Sequence, residues 1–257
     1  MPPLAPLSWD LGDPIPDQAR LVMGLAPGDP PLVVQLGWQV EAIGAMETGI
    51  GAIPQALSAD LNPAELARLG SFRHPWDRWR HGLARAGLRR LLGQLLDTAP
   101  AALLFQVGRD GKPELAPSPR LPSPPQFNLS HAGELVLLAL HPSQAVGVDG
   151  ERLDRRCNLE RLSPRLLTEQ QRSDQASLPA DQRHAFLLRQ WCRLEAQLKC
   201  SGRGLAGLEA LRQAQATRAP STHLVDLALP AGYCGALAWA QAPLQPLMAS
   251  NSASTEA

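Results

Sequence analysis

Apolar and polar residues alternate along PLVVQLGWQV (31–40), a period of two that predicts a strand with one buried face. A helix opens next, in LNPAELARLGSF. Asn62 is its N-cap, Pro63 takes the first helical position and Glu65 stands at N3, the arrangement of a capping box. WDRWRHGLARAGLRRLLGQLL carries apolar residues at helical spacing and predicts a longer helix over about 75–97. Strand, turn and strand follow in FQVGRDGKPEL, and APSPRLPSPPQ predicts an extended Pro-rich loop. The continuous apolar run of FNLSHAGELVLLALH predicts one buried strand, HPSQ a turn, and AVGVDGE the start of another strand.

A similar order then returns. LLTEQQ offers Thr168 as N-cap with Gln171 at N3, and a long amphipathic helix over about 181–200 is stopped by Gly202 and Gly204. Its residues Leu187, Trp191, Leu194 and Leu198 form one apolar stripe, with Leu188, Cys192, Glu195 and Lys199 in the stripe beside it. THLVDLALP and GYCGALAWA read as two closing strands joined by a Gly-containing turn. The Pro/Gly-rich first thirty residues predict loop around at most a short strand. The expectation is therefore an α+β protein of two similar halves, 1–143 and 144–243, followed by a disordered tail, 244–257.

Composition narrows the function classes. A formal net charge of zero over 257 residues argues against a general nucleic-acid binder. No apolar run is long enough to span a membrane, and MPPLAPLSWD has neither the basic nor the apolar region of an export signal, so a cytoplasmic protein is expected. Cys157, Cys192, Cys200 and Cys234 show no CxxC spacing, which fits reduced thiols. Of 24 Lys plus Arg only Lys112 and Lys199 are lysines. A compact ammonium meets phosphate differently from a planar guanidinium, so these two positions invite attention.

Candidate chemistry lies mostly after residue 145. Asp149 and Glu151 are two apart on a strand and share a face, and oxygen-only ligands of this kind suit Mg²⁺; two solvated acids at a strand end would give the same letters. Glu195 and Lys199 are neighbours one helical turn apart, as a surface ion pair would also be. Ser130 and His131 are adjacent on a strand, which suits a phosphate-contacting or structural histidine better than a hydrolytic pair. Between Arg73 and Arg90 stand six arginines against a single acid, Asp77, a solvated face or a patch for phosphate or an acidic partner.

In order along the chain, these stretches resemble the two-halved, surfactin-type 4′-phosphopantetheinyl transferases. The motifs are Gly147-Val148-Asp149-Gly150-Glu151, Trp191 to Lys199, Gly111-Lys112-Pro113, Phe127-Asn128-Leu129-Ser130-His131-Ala132, and the Arg-containing helix from Phe72 to Arg89. The resemblance covers roughly residues 60–240. It implies halves related by pseudo-two-fold symmetry, each a small, mostly antiparallel sheet packed with helices, with the site in the cleft between them. It implies transfer of the phosphopantetheine arm from coenzyme A to a serine of an apo acyl or peptidyl carrier protein, releasing adenosine 3′,5′-bisphosphate. By the same analogy Asp149, Glu151 and Glu195 would hold Mg²⁺. Glu195 would be the base toward the serine, Lys199 would neutralise the departing phosphate, and Arg73, Arg80, Lys112, Ser130 and His131 would contact the coenzyme's phosphates and adenine end. The internal duplication suits a monomer.

Two departures from the family pattern stand out. Leu194 occupies the position where a lysine is usual and, as a member of the apolar stripe, is expected to pack inward; Arg193 is the possible substitute cation. Gly150 stands where Ile is common. A catalytically weakened relative that still binds coenzyme A or a carrier protein is the alternative these departures suggest. An unrelated Mg²⁺-dependent pyrophosphate hydrolase is disfavoured by the lack of an acid-rich helix.

Overall fold

The computed structural model describes the chain apart from residues 1, 12, 14–15, 27, 38–54, 109–110, 120, 217–221 and 242–257; the expected disordered tail therefore lies outside the described residues. The two capping boxes form as the sequence predicts. Asn62 Oδ1 accepts from the Glu65 amide at the start of α1, Pro63–Gly70, and α2, Pro75–Leu95, follows. In the second half Thr168 caps α3, Glu169–Ser177, which leads into α4, Ala180–Ser201. Gly202 ends α4 in the left-handed region, with φ of 72°, a conformation that an L side chain would strain. A shorter helix, α5, spans Leu208–Ala216.

Strands β1 (Leu7–Asp10), β2 (Leu32–Gly37), β5 (Gln126–Ala132) and β6 (Leu135–His141) form one sheet in the order β1-β2-β6-β5. The hairpin of β3 (Phe105–Val107) and β4 (Pro113–Leu115) stands apart, and β7 (Val146–Arg152), β8 (Thr222–Asp226) and β9 (Tyr233–Ala240) form a second sheet in the order β7-β9-β8. Only the β1–β2 pairing is parallel among these ladders. The run expected to be one strand is thus a hairpin, broken at Gly133, whose φ of 55° makes the turn. The Gly133-Glu134 pair at the turn, with Glu134 exposed, is the polar signal of the break.

In both halves the last strand in sequence is the central one: β6 lies between β2 and β5, and β9 between β7 and β8. The order strand, capped helix, long helix, hairpin recurs accordingly. Alternation along the strands then builds layers. Val136, Leu138 and Leu140 of β6 turn to one side, where they pack with Leu88, Leu91 and Leu92 of α2. Leu135, Leu137 and Ala139 turn to the other and meet Val146, Val148, Leu237 and Trp239 of the second sheet. Beyond that sheet, Ala236 and Ala238 of β9 pack with Leu188, Cys192 and Ala196 of α4. The result is helix, sheet, sheet, helix.

The two long helices lean closely on their sheets, each at a glycine. A Cβ on Gly87 of α2 would stand 2.4 Å from Leu36 Cδ1, a side-chain atom. A Cβ on Gly147 of β7 would stand 2.0 Å from the Ala196 carbonyl oxygen and 2.3 Å from the Cys200 amide nitrogen of α4, both backbone atoms. The face of α4 turned to the sheet is accordingly the small-residue stripe Cys192–Ala196, flanked by Leu188 and Cys200. Leu194 does not pack inward as expected: it is half-buried and lines an outer groove of about 590 Å³ with Leu208, Leu211 and Leu224. A branched side chain has no room where helix and strand backbones come so near.

Candidate active site

The edge of β7 that is not paired with β9 runs alongside β5. No backbone ladder joins the two strands; side chains do. Asn128 Oδ1 accepts from the Val148 amide at 3.0 Å, and Ser130 Oγ accepts from the Gly150 amide at 3.1 Å. Lys112 Nζ donates to the Val146 carbonyl at 2.7 Å, and Lys199 Nζ to the Val148 carbonyl at 3.2 Å. Unpaired backbone groups at a buried edge are costly, by roughly 1–3 kcal/mol each, and here four side chains satisfy them. Both lysines of the chain are therefore on one strand edge, where a long single-point donor reaches a carbonyl that a planar fork would not match.

Even-numbered residues of β7 face this seam and the neighbouring sheet, so Gly147, Asp149 and Glu151 turn toward α4. Gly147 lets the helix approach, and the approach brings Lys199 to Asp149. Lys199 Nζ donates to Asp149 Oδ1 at 2.6 Å, and the Ser130 hydroxyl donates to the same oxygen at 3.0 Å. Gly150 lies against Leu135 and Leu137, at 2.9 and 3.0 Å from a notional Cβ, so this chain fills with leucines the space that a larger residue would take. A cavity of about 300 Å³ opens at the seam, lined by Ser130, His131, Asp149, Glu151 and Lys199 together with His81 and Arg85 of α2.

Charge is distributed unevenly around it. Burial, followed by the neighbouring Asp149 charge, holds the Glu195 carboxyl above the ordinary glutamate range, against the pull of Lys199 and Arg155. Glu151 is ion-paired with Arg155. On the opposite wall His81 is pushed down to about 4 by burial and by the Arg85 charge, and His131 is lowered by burial and by Arg80. Neutral imidazoles facing carboxylates give one cavity an anion-accepting side and a cation-accepting side.

Five of the expected residues thus come together: Asp149, Glu151, Lys199, Ser130 and His131 line the cleft. Glu195 lies close enough for the Asp149 charge to shift it, without lining the cavity. Arg80 borders the cleft, paired with Asp77 and donating to the Gly133 carbonyl at 3.3 Å. Lys112 is not in the lining; its ammonium lies at the Val146 end of β7, beside Cys200. Arg73 is exposed ahead of α2 and is also absent from the lining. Arg193 is no substitute for a cation at position 194, because a bidentate pair at 2.8 and 2.7 Å holds it to Asp226.

Four residues were not assigned to the site from the sequence, although Asn128 stands in a quoted motif and Arg85 is one of the six arginines. Asn128 precedes Ser130 by two on one strand, so period-two reasoning finds it. His81 and Arg85 follow Asp77 at four-residue steps on a single helical stripe. Arg155 follows a strand end and carries no periodic signal.

A divalent cation needs oxygen donors with charge to spare. Asp149 Oδ2 is buried and has no hydrogen-bond partner, and Glu195 is a half-buried carboxylate with too little compensation. This donor set fits Mg²⁺. The fit is incomplete in the ligand-free arrangement: among the described residues no three acidic, histidine or cysteine side chains stand together as a metal-holding group.

Comparison with known proteins identifies a family for this chain. The family described as the 4′-phosphopantetheinyl transferase superfamily matches residues 145–231, the stretch holding β7, α4 and β8. The 4′-phosphopantetheinyl transferase HetI of Nostoc sp. is 35% identical over 171 residues, 65% of this chain and 70% of the relative. AcpT of Escherichia coli, also named a 4′-phosphopantetheinyl transferase, is 30% identical over 155 residues, 60% of this chain and 71% of the relative. A phosphopantetheinyl transferase of Thraustochytrium sp. is 40% identical over 94 residues, 36% of this chain and 32% of the relative. With the acidic strand β7 and the α4 lysine inside the matched region, and a relative 35% identical covered over 70% of its length, the chain belongs to the 4′-phosphopantetheinyl transferase superfamily.

Proposed function

We propose that this protein transfers the 4′-phosphopantetheine group of coenzyme A to a serine hydroxyl of an apo carrier protein, with Mg²⁺ as cofactor. The observation that carries the reading is the seam cleft, where Asp149, Glu151 and Lys199 face Ser130, His131, His81 and Arg85 across about 300 Å³. No hydrolytic nucleophile is required of the chain, because the attacking oxygen arrives on the partner.

Asp149, Glu151 and Glu195 would hold the metal, which would supply positive charge against the pyrophosphate. Ser130 fixes Asp149 from the β5 side, so the carboxylate does not have to be ordered by substrate. Glu195 is the candidate base, accepting the serine proton as the new P–O bond forms, with positioning supplying most of the effect. The bond to the adenosine-bearing phosphate breaks, and Lys199 meets the charge that develops there. His131, with His81 in the same lining, offers donors to the phosphates of the coenzyme. The product of this displacement is adenosine 3′,5′-bisphosphate.

The test is an intact-mass measurement on apo acyl and peptidyl carrier proteins incubated with the purified protein, coenzyme A and Mg²⁺. A gain of one phosphopantetheine on a carrier is expected. Coenzyme A binding without any gain overturns the transfer reading in favour of a binding module, and cleavage of the diphosphate without a carrier favours a hydrolase.

A further inference from the structure

Although Asp149 Oδ2 is without a partner, cations of the chain already accompany both carboxylates that line the cleft. Lys199 Nζ is 2.6 Å from Asp149 Oδ1, and the Arg155 guanidinium is paired with Glu151. The same two cations are the ones that ease the charge on Glu195. Two internal counter-ions thus accompany these carboxylates, and among the described residues no metal-holding trio stands together.

Exposure distinguishes the partners. The Asp149 and Glu151 side chains are 8% and 14% exposed, whereas those of Lys199 and Arg155 are 29% and 45% exposed. The carboxylates are fixed by their surroundings and the cations have water on one side. Lys199 also has somewhere to go: the Val148 carbonyl at 3.2 Å and the Ser130 hydroxyl at 3.5 Å remain within its reach when it leaves the carboxylate. A divalent ion and an ammonium cannot both sit on Asp149 without strong repulsion.

We propose that Lys199 and Arg155 are resident counter-ions that occupy Asp149 and Glu151 in the ligand-free protein and must release them for the divalent ion to bind. This rests on the metal-dependent reading given above. Arg155 is then a positioning residue, acting on the metal through Glu151. Metal alone binds weakly, because two ion pairs have to open. Metal with coenzyme A binds better, because the pyrophosphate gives the displaced ammonium a new partner, placing Lys199 on phosphate at the moment the metal arrives.

The experiment is Mn²⁺ binding followed by electron paramagnetic resonance, without coenzyme A, for the wild type, Arg155→Gln, Lys199→Met and Asp149→Asn. Arg155→Gln is expected to bind Mn²⁺ about fivefold more tightly than wild type, the scale of one partly exposed ion pair, and Lys199→Met at least as much. Asp149→Asn is expected to lose binding, and coenzyme A to tighten it in the wild type. If both cation variants bind no more tightly than wild type while Asp149→Asn still fails to bind, the counter-ion inference falls and the metal site stands. If Asp149→Asn binds like wild type, or no form binds Mn²⁺ even with coenzyme A, the metal reading falls and the inference with it. Thermal melting keeps the result interpretable for Lys199→Met, and Arg155, with its exposed side chain, supplies a variant whose folding is not at issue.

Discussion

The helices α2 and α4 are built alike and do opposite work. Each is a long helix covering the outer face of a sheet, and each comes close to it through a glycine. On α2 the charges are neutralised locally. Glu65 accepts from Arg85 Nε at 2.8 Å and from Arg89 Nε at 2.6 Å, and Arg89 also donates to the Pro100 and Leu103 carbonyls at 2.7 and 3.1 Å. Arg90 holds the Leu11 carbonyl at 2.6 Å, and Arg78 the Leu69 and Phe72 carbonyls, both at 3.1 Å. On α4, Glu195 and Lys199 meet a strand whose Asp149 keeps a buried oxygen without a partner. One glutamate, Glu65, is lowered because its arginines and the Asn62 amide outweigh the cost of burial; the other, Glu195, is raised by burial and by a like charge. Abundance of charge therefore marks the scaffold here, and imbalance of charge marks the site.

The contrast can be broken in four places. The largest effect is expected from Glu195→Gln, which should lower turnover by about a hundredfold to ten-thousandfold, the usual contribution of a positioned base, with an unchanged melting temperature. Near-normal turnover in the carrier-mass assay would return Glu195 to the scaffold. Arg89→Met should do the reverse. Removing the fully buried Arg89 from its pair with the partly exposed Glu65 should cost about 3 kcal/mol in denaturant unfolding, while turnover per folded molecule stays close to wild type. A stable variant with impaired turnover would show that Arg89 serves the chemistry after all.

The glycines sharpen the same comparison. Gly147→Ala drives a methyl into backbone atoms of α4, and a loss of about 3 kcal/mol together with activity is expected. Gly87→Ala meets the end of Leu36, which can turn aside, so about 1 kcal/mol is expected there. Equal losses in thermal unfolding would mean that the two approaches are mechanically the same. The smallest effect concerns pH. Because the folded carboxyl of Glu65 is lowered, its contribution to stability is present above the unfolded value and is lost as pH falls through the folded one. Unfolding free energy should therefore decline below the ordinary glutamate range in wild type and less steeply in Glu65→Gln; parallel curves would disprove the linkage.

Local signals in the sequence reached far. The capping boxes at Asn62 and Thr168, the stop at Gly202 and the shared face of Asp149 and Glu151 depend on residues a few positions apart, and all four were readable. What could not be read depends on partners brought together by the fold. Leu194 looks like a core residue by periodicity, yet the approach of α4 to Gly147 gives the inner face to alanine and cysteine. The arginines of α2 look like a phosphate patch until Glu65 and Asp60 are placed beside them. Lys112 was singled out by its rarity, and the structure gives that rarity a cause shared with Lys199: both reach carbonyls on one strand edge.

That edge has a mechanical consequence. A ladder of paired strands slips only by whole registers, since every rung has to find a new mate. Where Asn128, Ser130, Lys112 and Lys199 tether β7, each tether has its own rotatable bonds and lets go independently of the others. A substitution at one tether should therefore alter the crevice locally while the strands on either side keep their pairing intact.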